Sequence, residues 1–269
     1  MTEITAPSLT PRRYGGVNWI GLQTLYFREV KRFWKVGMQT VLAPVITSLL
    51  YMLVFVVAVG GSRSGAGGVN FATFIAPGLV MMSILNNAFA NSSSSILQAK
   101  MMGLTPDFLT PPLSAIELAA GFAAGAMTRG VFVGLVTAIS VWPFTHYHIE
   151  HLWAVAYFGL GAAMMLGLLG AFAGLWSEKF DHLAAVTNFL VMPMTFLSGT
   201  FYLVDNLPEP FRSASHFNPF FYMIDGFRYG FIGFADGSLM IGAVMVGVIN
   251  LILAVACWAL FHTGYRLKS

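Results

Sequence analysis

The sequence predicts an all-α integral membrane protein with six transmembrane helices. Hydrophobic residues make up 57% of its 269 residues and charged residues only 9%, whereas ordinary soluble domains contain roughly 25% charged residues. A soluble protein of this length could not cover its surface with so few charges. Apolar stretches of about 20 residues, long enough to cross a hydrocarbon core of about 30 Å, also recur along the chain. The lipid bilayer is therefore the predicted solvent for most of the chain.

The chain divides into two predicted parts, a cytoplasmic N-terminal segment at residues 1–36 and a six-helix transmembrane domain at residues 37–269. The stretch from Val17 to Lys35 is too charged to span a membrane, but its residues sort by helical period. This pattern predicts an amphipathic helix on the membrane surface; a cytosolic helix packed on another protein is the alternative. The apolar face comprises Trp19, Leu22, Tyr26, Val30 and Phe33, and the polar face comprises Thr24, Arg28, Lys31 and Lys35.

Five stretches clearly have the length and apolar character of membrane-spanning helices, and a sixth has them with some polar content. A single sequence fixes the ends of such elements to within about 2–4 residues. The predicted spans are Met38 to Val59, Phe71 to Leu97, Leu118 to Trp142, Leu152 to Trp176, Leu183 to Leu203 and Leu239 to His262.

Lysine and arginine residues indicate how these spans are oriented, because they accumulate in cytoplasmic loops. With the N-terminus inside, ten of them fall in predicted cytoplasmic segments and three in outer loops. Six crossings return the C-terminus to the cytoplasm, in agreement with Arg266 and Lys268 near the end of the chain. Both termini are therefore predicted to be cytoplasmic.

The connection between the fifth and sixth spans, Tyr202 to Phe234, is too long for a plain loop and too apolar for a solvated one. Its prolines, among them Pro208 and Pro219, exclude one continuous helix. We expect short re-entrant helices that dip into the outer leaflet, with their backbone shielded by the bundle. A cap at the level of the outer headgroups is the alternative.

Asp225 and Arg228 lie in this outer connection, three residues apart. If Tyr222 to Gly233 is helical, both side chains share one face. In a re-entrant helix each charge would need the other, because an unpaired charge would face hydrocarbon. On a solvated surface the pair would contribute only about 0–1 kcal/mol.

Polar residues within the predicted spans form a second candidate site. Arg129 lies near the middle of the third span, where an arginine costs about 2.5–3.5 kcal/mol on insertion scales. The second span presents Asn87, Asn91 and Ser95 along one stripe, with Asn86 beside it. Their oxygens are candidate acceptors for the guanidinium. The set is either a structural clamp between two helices or part of a substrate path.

Several kinds of chemistry have no counterpart in the sequence. The glycine-rich run Gly60 to Gly68 lacks the lysine of a phosphate-binding loop. His146, His148 and His151 have only Glu150 beside them, so a metal site is not indicated. No catalytic set and no basic stripe for nucleic acid is present. The chain is thus not predicted to be an enzyme, to hold a cofactor or to bind nucleic acid.

Three segments resemble the type-2 class of ABC exporter permeases, which includes nodulation-factor, polysaccharide and antibiotic exporters. The first is the amphipathic segment before the first span, which resembles the family's connector helix. The second resembles the Leu-x-x-Pro-Leu-Ser-x-x-Glu pattern at the cytoplasmic coupling loop, and the third joins a span end to the outer segment. The matching residues are Leu109-Thr110-Pro111-Pro112-Leu113-Ser114 with Glu117, and then Pro193, Leu197 to Tyr202, Leu207-Pro208, Asn218-Pro219, Asp225 and Arg228.

The resemblance implies a permease subunit in a bacterial inner membrane that pairs with a second permease copy and two cytosolic ATPase subunits. ATP and Mg²⁺ would bind to the ATPase, and this chain would export an amphipathic, lipid-linked or saccharide-type cargo in contact with membrane lipid. The alternative is an ATP-independent channel or a secondary transporter, which would be expected to carry carboxylates inside its spans.

The resemblance also implies that the coupling loop docks the ATPase. This loop usually carries several charges, whereas Ala99 to Asp107 contains only two. Apolar contacts are therefore expected to contribute more here than salt bridges. The candidate docking residues are Lys100, Met101, Met102, Leu104, Asp107 and Phe108.

Overall fold

The computed structural model describes residues 16–59 and 69–267, and the regular elements in these two ranges are helices. Residues 1–15 of the predicted cytoplasmic segment, the glycine-rich loop and Lys268 lie outside the described residues. The α-helices are α1 (Trp19–Lys35), α2 (Gly37–Val59), α3 (Phe71–Met101), α4 (Pro106–Leu109), α5 (Ala115–Thr145), α6 (Leu152–Trp176), α7 (Phe180–Val186), α8 (Met192–Phe196), α9 (Phe211–Phe217), α10 (Pro219–Ile232) and α11 (Leu239–Thr263).

Within residues 16–59 and 69–267, five helices are long and apolar enough to cross a membrane: α2, α3, α5, α6 and α11. They coincide with the first four predicted spans and the last. Helices α3 and α5 contain 31 residues each, which corresponds to about 46 Å at 1.5 Å per residue. Since the hydrocarbon core is about 30 Å thick, both helices either tilt or extend beyond it.

The predicted fifth span, Leu183 to Leu203, consists of shorter pieces. Helix α7 continues into a π-helical turn, Thr187–Val191, and then into α8, which ends at Phe196. Pro193 follows the π turn; it lacks an amide proton and its ring crowds the carbonyl four residues earlier. The regular helix is therefore interrupted, and a crossing by this segment stays a prediction.

Helix α3 lies at the centre of the bundle, and its most hydrophobic stretch is 89% buried. It packs between α5 and α6, where glycines allow close contact. A Cβ atom added to Gly170 or Gly174 of α6 would lie within 3 Å of a backbone carbonyl of α3, that of Phe89 or Ser93 respectively. The small-residue pairs of the sequence thus mark real helix contacts.

Helices α2 and α11 lie at the periphery, with only 11% and 17% of their most hydrophobic stretches buried. Exposed leucine, isoleucine and valine side chains cover their outward faces. Such faces require lipid or another protein chain.

Candidate functional site

Helix α1 packs alongside α5 as part of the bundle. The backbone amide of Asn18 donates to the carboxylate of Glu117, and the rings of Phe33 and Phe132 approach to 6.5 Å between centroids. The two residues of each contact are 99 positions apart in the sequence. The two helices therefore run side by side in the same direction. The amphipathic N-terminal helix is therefore present, and its place at the membrane surface stays a prediction.

The start of α5 gives a structural reason for the Ser-x-x-Glu pattern. The amide of Ser114 donates to Glu117 Oε2 over 2.6 Å, and the amide of Glu117 donates to Ser114 Oγ over 3.3 Å. These two bonds form a capping box. The other carboxylate oxygen of Glu117 accepts from Asn18. The motif thus both caps α5 and fastens the start of α1 to it.

A buried carboxylate, Glu29 of α1, is the centre of a polar cluster with α3. Its Oε1 accepts from Ser95 Oγ over 2.8 Å and from Arg28 Nη2 over 3.1 Å. Its Oε2 lies 3.6 Å from Arg32 Nε, and Arg32 Nη2 donates to Asn91 Oδ1 over 3.1 Å. Burial lowers the pKa of Arg32, while Glu29 opposes that shift. A carboxylate is tolerated here because cations and hydroxyl donors surround it.

The buried stripe of α1 differs from the predicted apolar face. Leu25, Glu29 and Phe33, spaced four residues apart, are buried, whereas Trp19 is 65% exposed. Glycine at position 125 of α5 makes room for the Glu29 side chain. Sequence reasoning missed Glu29; the available signal was a single acidic residue in a basic helix, opposite an asparagine- and serine-rich span.

Arg129 of α5 contacts one of its four candidate acceptors. Arg129 Nε and Nη2 each lie 3.3 Å from Asn87 Oδ1. Asn91 and Ser95 instead bond to the Glu29 cluster, and Asn86 is half-buried. Within the described ranges no carboxylate lies within 4 Å of the Arg129 guanidinium. Its role in structure or in transport stays a prediction.

The coupling loop joins α3 to α5 and presents apolar side chains at its surface. Met101, Met102 and Leu104 are exposed, as is Asp107. Gly103 adopts a left-handed backbone with φ of 69° and ends α3, so the chain turns sharply there. Four of the six predicted docking residues are therefore available to a partner.

Phe108 lies in the interior, which corrects its assignment as a surface contact. It is 1% exposed, its ring meets Phe122 edge-on at 5.5 Å, and the Arg28 guanidinium lies 5.4 Å from its centroid. The short helix α4 turns this side chain inward. Phe108 thus joins the loop to α1 and α5.

Lys100 likewise bonds within the chain. Its ammonium donates to the carbonyls of Leu175 and Ser177, each over 2.6 Å, and Arg266 donates to the carbonyl of Trp176 over 2.6 Å. These cations satisfy the free carbonyls at the end of α6 and complement its dipole. Lys100 therefore ties α3 to α6, which leaves it poorly placed for a partner.

The segment between α8 and α11 also contains a buried acid. The Asp225 carboxylate of α10 accepts from the amides of Asp236 and Gly237 over 2.8 and 2.9 Å. Asp236 in turn accepts from the amide of Val204 over 2.8 Å, and burial raises its pKa. The two carboxylates hold the turn before α11 against the 3₁₀ turn that begins at Val204.

Arg228, also on α10, is 1% exposed and bonds outside its own helix. Its Nη2 donates to the carbonyl of Gly199 over 2.6 Å, and its guanidinium lies 4.1 Å from the Phe74 centroid. In the described part of the chain no contact within 4 Å joins Arg228 to Asp225. Asp225 and Arg228 therefore bind separate partners and not each other, contrary to the expectation from the sequence. The bond from Arg228 to Gly199 joins two segments of the family motif that are distant in sequence.

Comparison with known proteins agrees with this architecture. Residues 21–232 match the ABC-2 type transporter family. The inner membrane transport permease YadH of Escherichia coli strain K12 is 37% identical over 255 residues, which cover 93% of this chain and 98% of YadH. Nodulation protein J of Rhizobium leguminosarum bv. viciae is 23% identical, over 87% of this chain and 91% of that protein. The chain belongs to the ABC-2 type transporter family, as a membrane permease component.

Proposed function

We propose that the chain is the permease subunit of an ATP-driven exporter that moves an amphipathic, lipid-linked or saccharide-type cargo outward across a bacterial inner membrane. The observation that carries this proposal is the exposed apolar coupling loop, held by α1 and α5 at one end of a bundle with five membrane-capable helices. Membership of the ABC-2 family implies an ABC ATPase partner. A second copy of the chain would cover part of the exposed faces of α2 and α11.

In this proposal ATP-driven closure of the ATPases moves the coupling loop. Phe108 and its contacts with Arg28 and Phe122 pass that movement to α1 and α5. The Glu29 cluster then couples α1 to α3, the central helix. Export follows as the two permeases rock against each other.

Co-purification and vesicle assays test the proposed function. We expect the full chain to purify with an ATPase that carries a phosphate-binding loop, and the complex to hydrolyse ATP at a rate that depends on the permease. A channel or secondary transporter would instead conduct cargo in vesicles without any ATPase. Transport without an ATPase would therefore contradict the proposal.

The six-span topology predicts on which side of the membrane each loop lies. Reporter fusions after Lys35, Lys100, Lys179 and Ser269 should report a cytoplasmic location, and fusions at His148 and Asp236 an external one. The expectation rests on the ten-to-three distribution of basic residues. An external C-terminus would contradict six crossings.

Replacing Leu104 with aspartate should separate the permease from its ATPase. A charge buried in an apolar contact without a partner costs several kcal/mol, so we expect permease-dependent ATP hydrolysis to fall at least tenfold. Because Leu104 is 46% exposed, the melting temperature in detergent should stay near that of the wild type. Leu104→Asn is the uncharged control and should keep more activity.

Phe108→Asp provides the contrast to Leu104→Asp. Since Phe108 is buried within the chain, this variant should melt at a lower temperature and yield less inserted protein. Wild-type ATP hydrolysis with Leu104→Asp would rule out the loop surface as the docking site, whatever the behaviour of Phe108→Asp.

A further inference from the structure

Two cavities meet at Lys35, where α1 ends and α2 begins. The first, of about 430 Å³, lies between α1, the end of α3 and the coupling loop. The second, of about 750 Å³, lies between the α1–α2 junction and α5. Lys35 lines both. No residue of the coupling loop lines the second cavity.

The first cavity is strongly basic. Arg28, Lys31, Arg32 and Lys35 line one wall at helical spacing. Asp107 on the opposite wall and the buried Glu29 balance two of these four positive charges. In the part of the chain that the structure describes, Lys31 and Lys35 form no ion pair within 4 Å. The cavity therefore has an excess of positive charge and suits an anion.

The second cavity is mainly apolar. Beyond Lys35 and Gln39, its lining consists of aromatic and aliphatic side chains with one glycine. Trp34 and Met38 are strongly exposed there, and such an apolar surface requires lipid or another chain to cover it. The apolar side chains that line it are Trp34, Val36, Met38, Val41, Leu42 and Phe132.

We propose that these cavities bind one anionic glycerophospholipid of the inner leaflet, with its phosphate in the basic cavity and an acyl chain in the apolar cavity. The order of the cavities carries the proposal. Along the chain the basic residues of α1 precede the apolar start of α2. In the inner leaflet, the headgroup of a lipid likewise lies at the cytoplasmic surface and its acyl chain lies deeper in the bilayer. The proposal rests on the proposed orientation, in which α1 is cytoplasmic.

The volumes agree with this occupant. Ligand sites are usually about 300–1,000 Å³, and both cavities lie in that range. Lysine and arginine near an anionic membrane surface each contribute about fivefold to binding. The bound lipid would hold α1 to the start of α2, next to Leu104 and Met102 of the coupling loop, and would thereby stiffen the docking surface.

Native mass spectrometry of the full chain in detergent tests the proposal, because it reports bound lipid and oligomeric mass together. We expect phosphatidylglycerol to bind at least about tenfold more tightly than phosphatidylcholine. The double variant Lys31→Gln with Lys35→Gln should lose this preference. Lys179→Gln with Arg212→Gln removes the same number of charges elsewhere and should keep it. Soluble glycerol phosphate should not displace the lipid, because it lacks the acyl chain.

Four outcomes would overturn the proposal. Equal binding of both lipids by the wild type would exclude a specific anionic site, and equal losses in the two double variants would indicate bulk charge alone. Displacement by glycerol phosphate would indicate a soluble phosphate ligand. A lysine variant that keeps the lipid but loses the ATPase or the dimer mass would assign the basic cavity to a protein partner. Met101→Asp changes an exposed residue of the coupling loop that lines neither cavity; it should leave lipid binding unchanged, so failure of ATPase docking is distinguishable from failure of the lipid site.

Discussion

Replacing Glu29 with glutamine should lower the melting temperature of the purified permease more than any exposed charge change. The carboxylate is fully buried and lies against Arg28 and Arg32. Glutamine keeps the shape and part of the hydrogen bonding with Ser95, but it removes the negative charge. Breaking a buried ion pair from one side typically costs about 3–5 kcal/mol. We therefore expect a drop on the order of 10 °C.

Glu178→Gln is the matched control, since it makes the same chemical change in a solvated pair. Glu178 lies 3.4 Å from Arg266, and their side chains are 58% and 37% exposed. Such pairs contribute about 0–1 kcal/mol. The double variant Glu29→Gln with Arg32→Gln should recover part of the Glu29→Gln loss. Equal melting temperatures for Glu29→Gln and Glu178→Gln would mean that the cluster around Glu29 is hydrated and does not hold α1.

The long apolar helices could be predicted because hydropathy is a local property of the chain. Five predicted spans coincide with helices, and their ends are where prediction was weakest. Helix α3 continues to Met101, past the predicted end at Leu97. Two of the four additional residues, Gln98 and Lys100, are polar, and Lys100 donates to carbonyls at the end of α6. A contact with another helix thus extends α3 beyond its apolar stretch.

The candidate sites depended on contacts between distant residues, which a local pattern does not contain. The stripe of Asn87, Asn91 and Ser95 on α3 was recognisable, but its main partner is Glu29 of α1. Arg129 had four plausible acceptors, and helix packing selected Asn87. Phe108 was expected among the docking residues of the coupling loop, whereas the short helix α4 turns it inward.

The motif that carried the family resemblance was more informative than hydropathy. The segment Leu197 to Tyr202 and the pair Asp225 and Arg228 are separated in sequence, and the structure joins them through the Gly199 carbonyl. Gly199 has φ of 73°, a conformation that favours glycine. Its turn directs the carbonyl toward Arg228. The resemblance singled out both segments, and the contact between them is visible only in the structure.

Neutralising Asp225 and Arg228 separately should each destabilise the permease, and neutralising both should recover part of the loss. Asp225→Asn weakens two bonds to backbone amides, and Arg228→Gln removes the bond to Gly199 and the contact with Phe74. Those contacts do not return in the double variant. The attraction between two buried opposite charges one helical turn apart is about 3 kcal/mol at an effective dielectric constant of 20. Each single substitution removes this attraction, whereas the double variant also loses it only once. The double variant should therefore be more stable than the sum of the two single losses predicts.

Asp205 and Arg212 offer the matched control in the same outer segment. Their side chains meet at 2.6 Å but are 52% and 45% exposed, so the corresponding variants, Asp205→Asn and Arg212→Gln, should change stability by at most about 1 kcal/mol. Melting temperatures and export rates of all six variants, single and double, give both coupling energies. Asp225 and Arg228 are not in contact, whereas Asp205 and Arg212 are. A larger coupling energy for Asp225 and Arg228 would therefore support a low dielectric constant around them. Wild-type behaviour of both Asp225→Asn and Arg228→Gln would contradict burial of α10 and the re-entrant arrangement that depends on it.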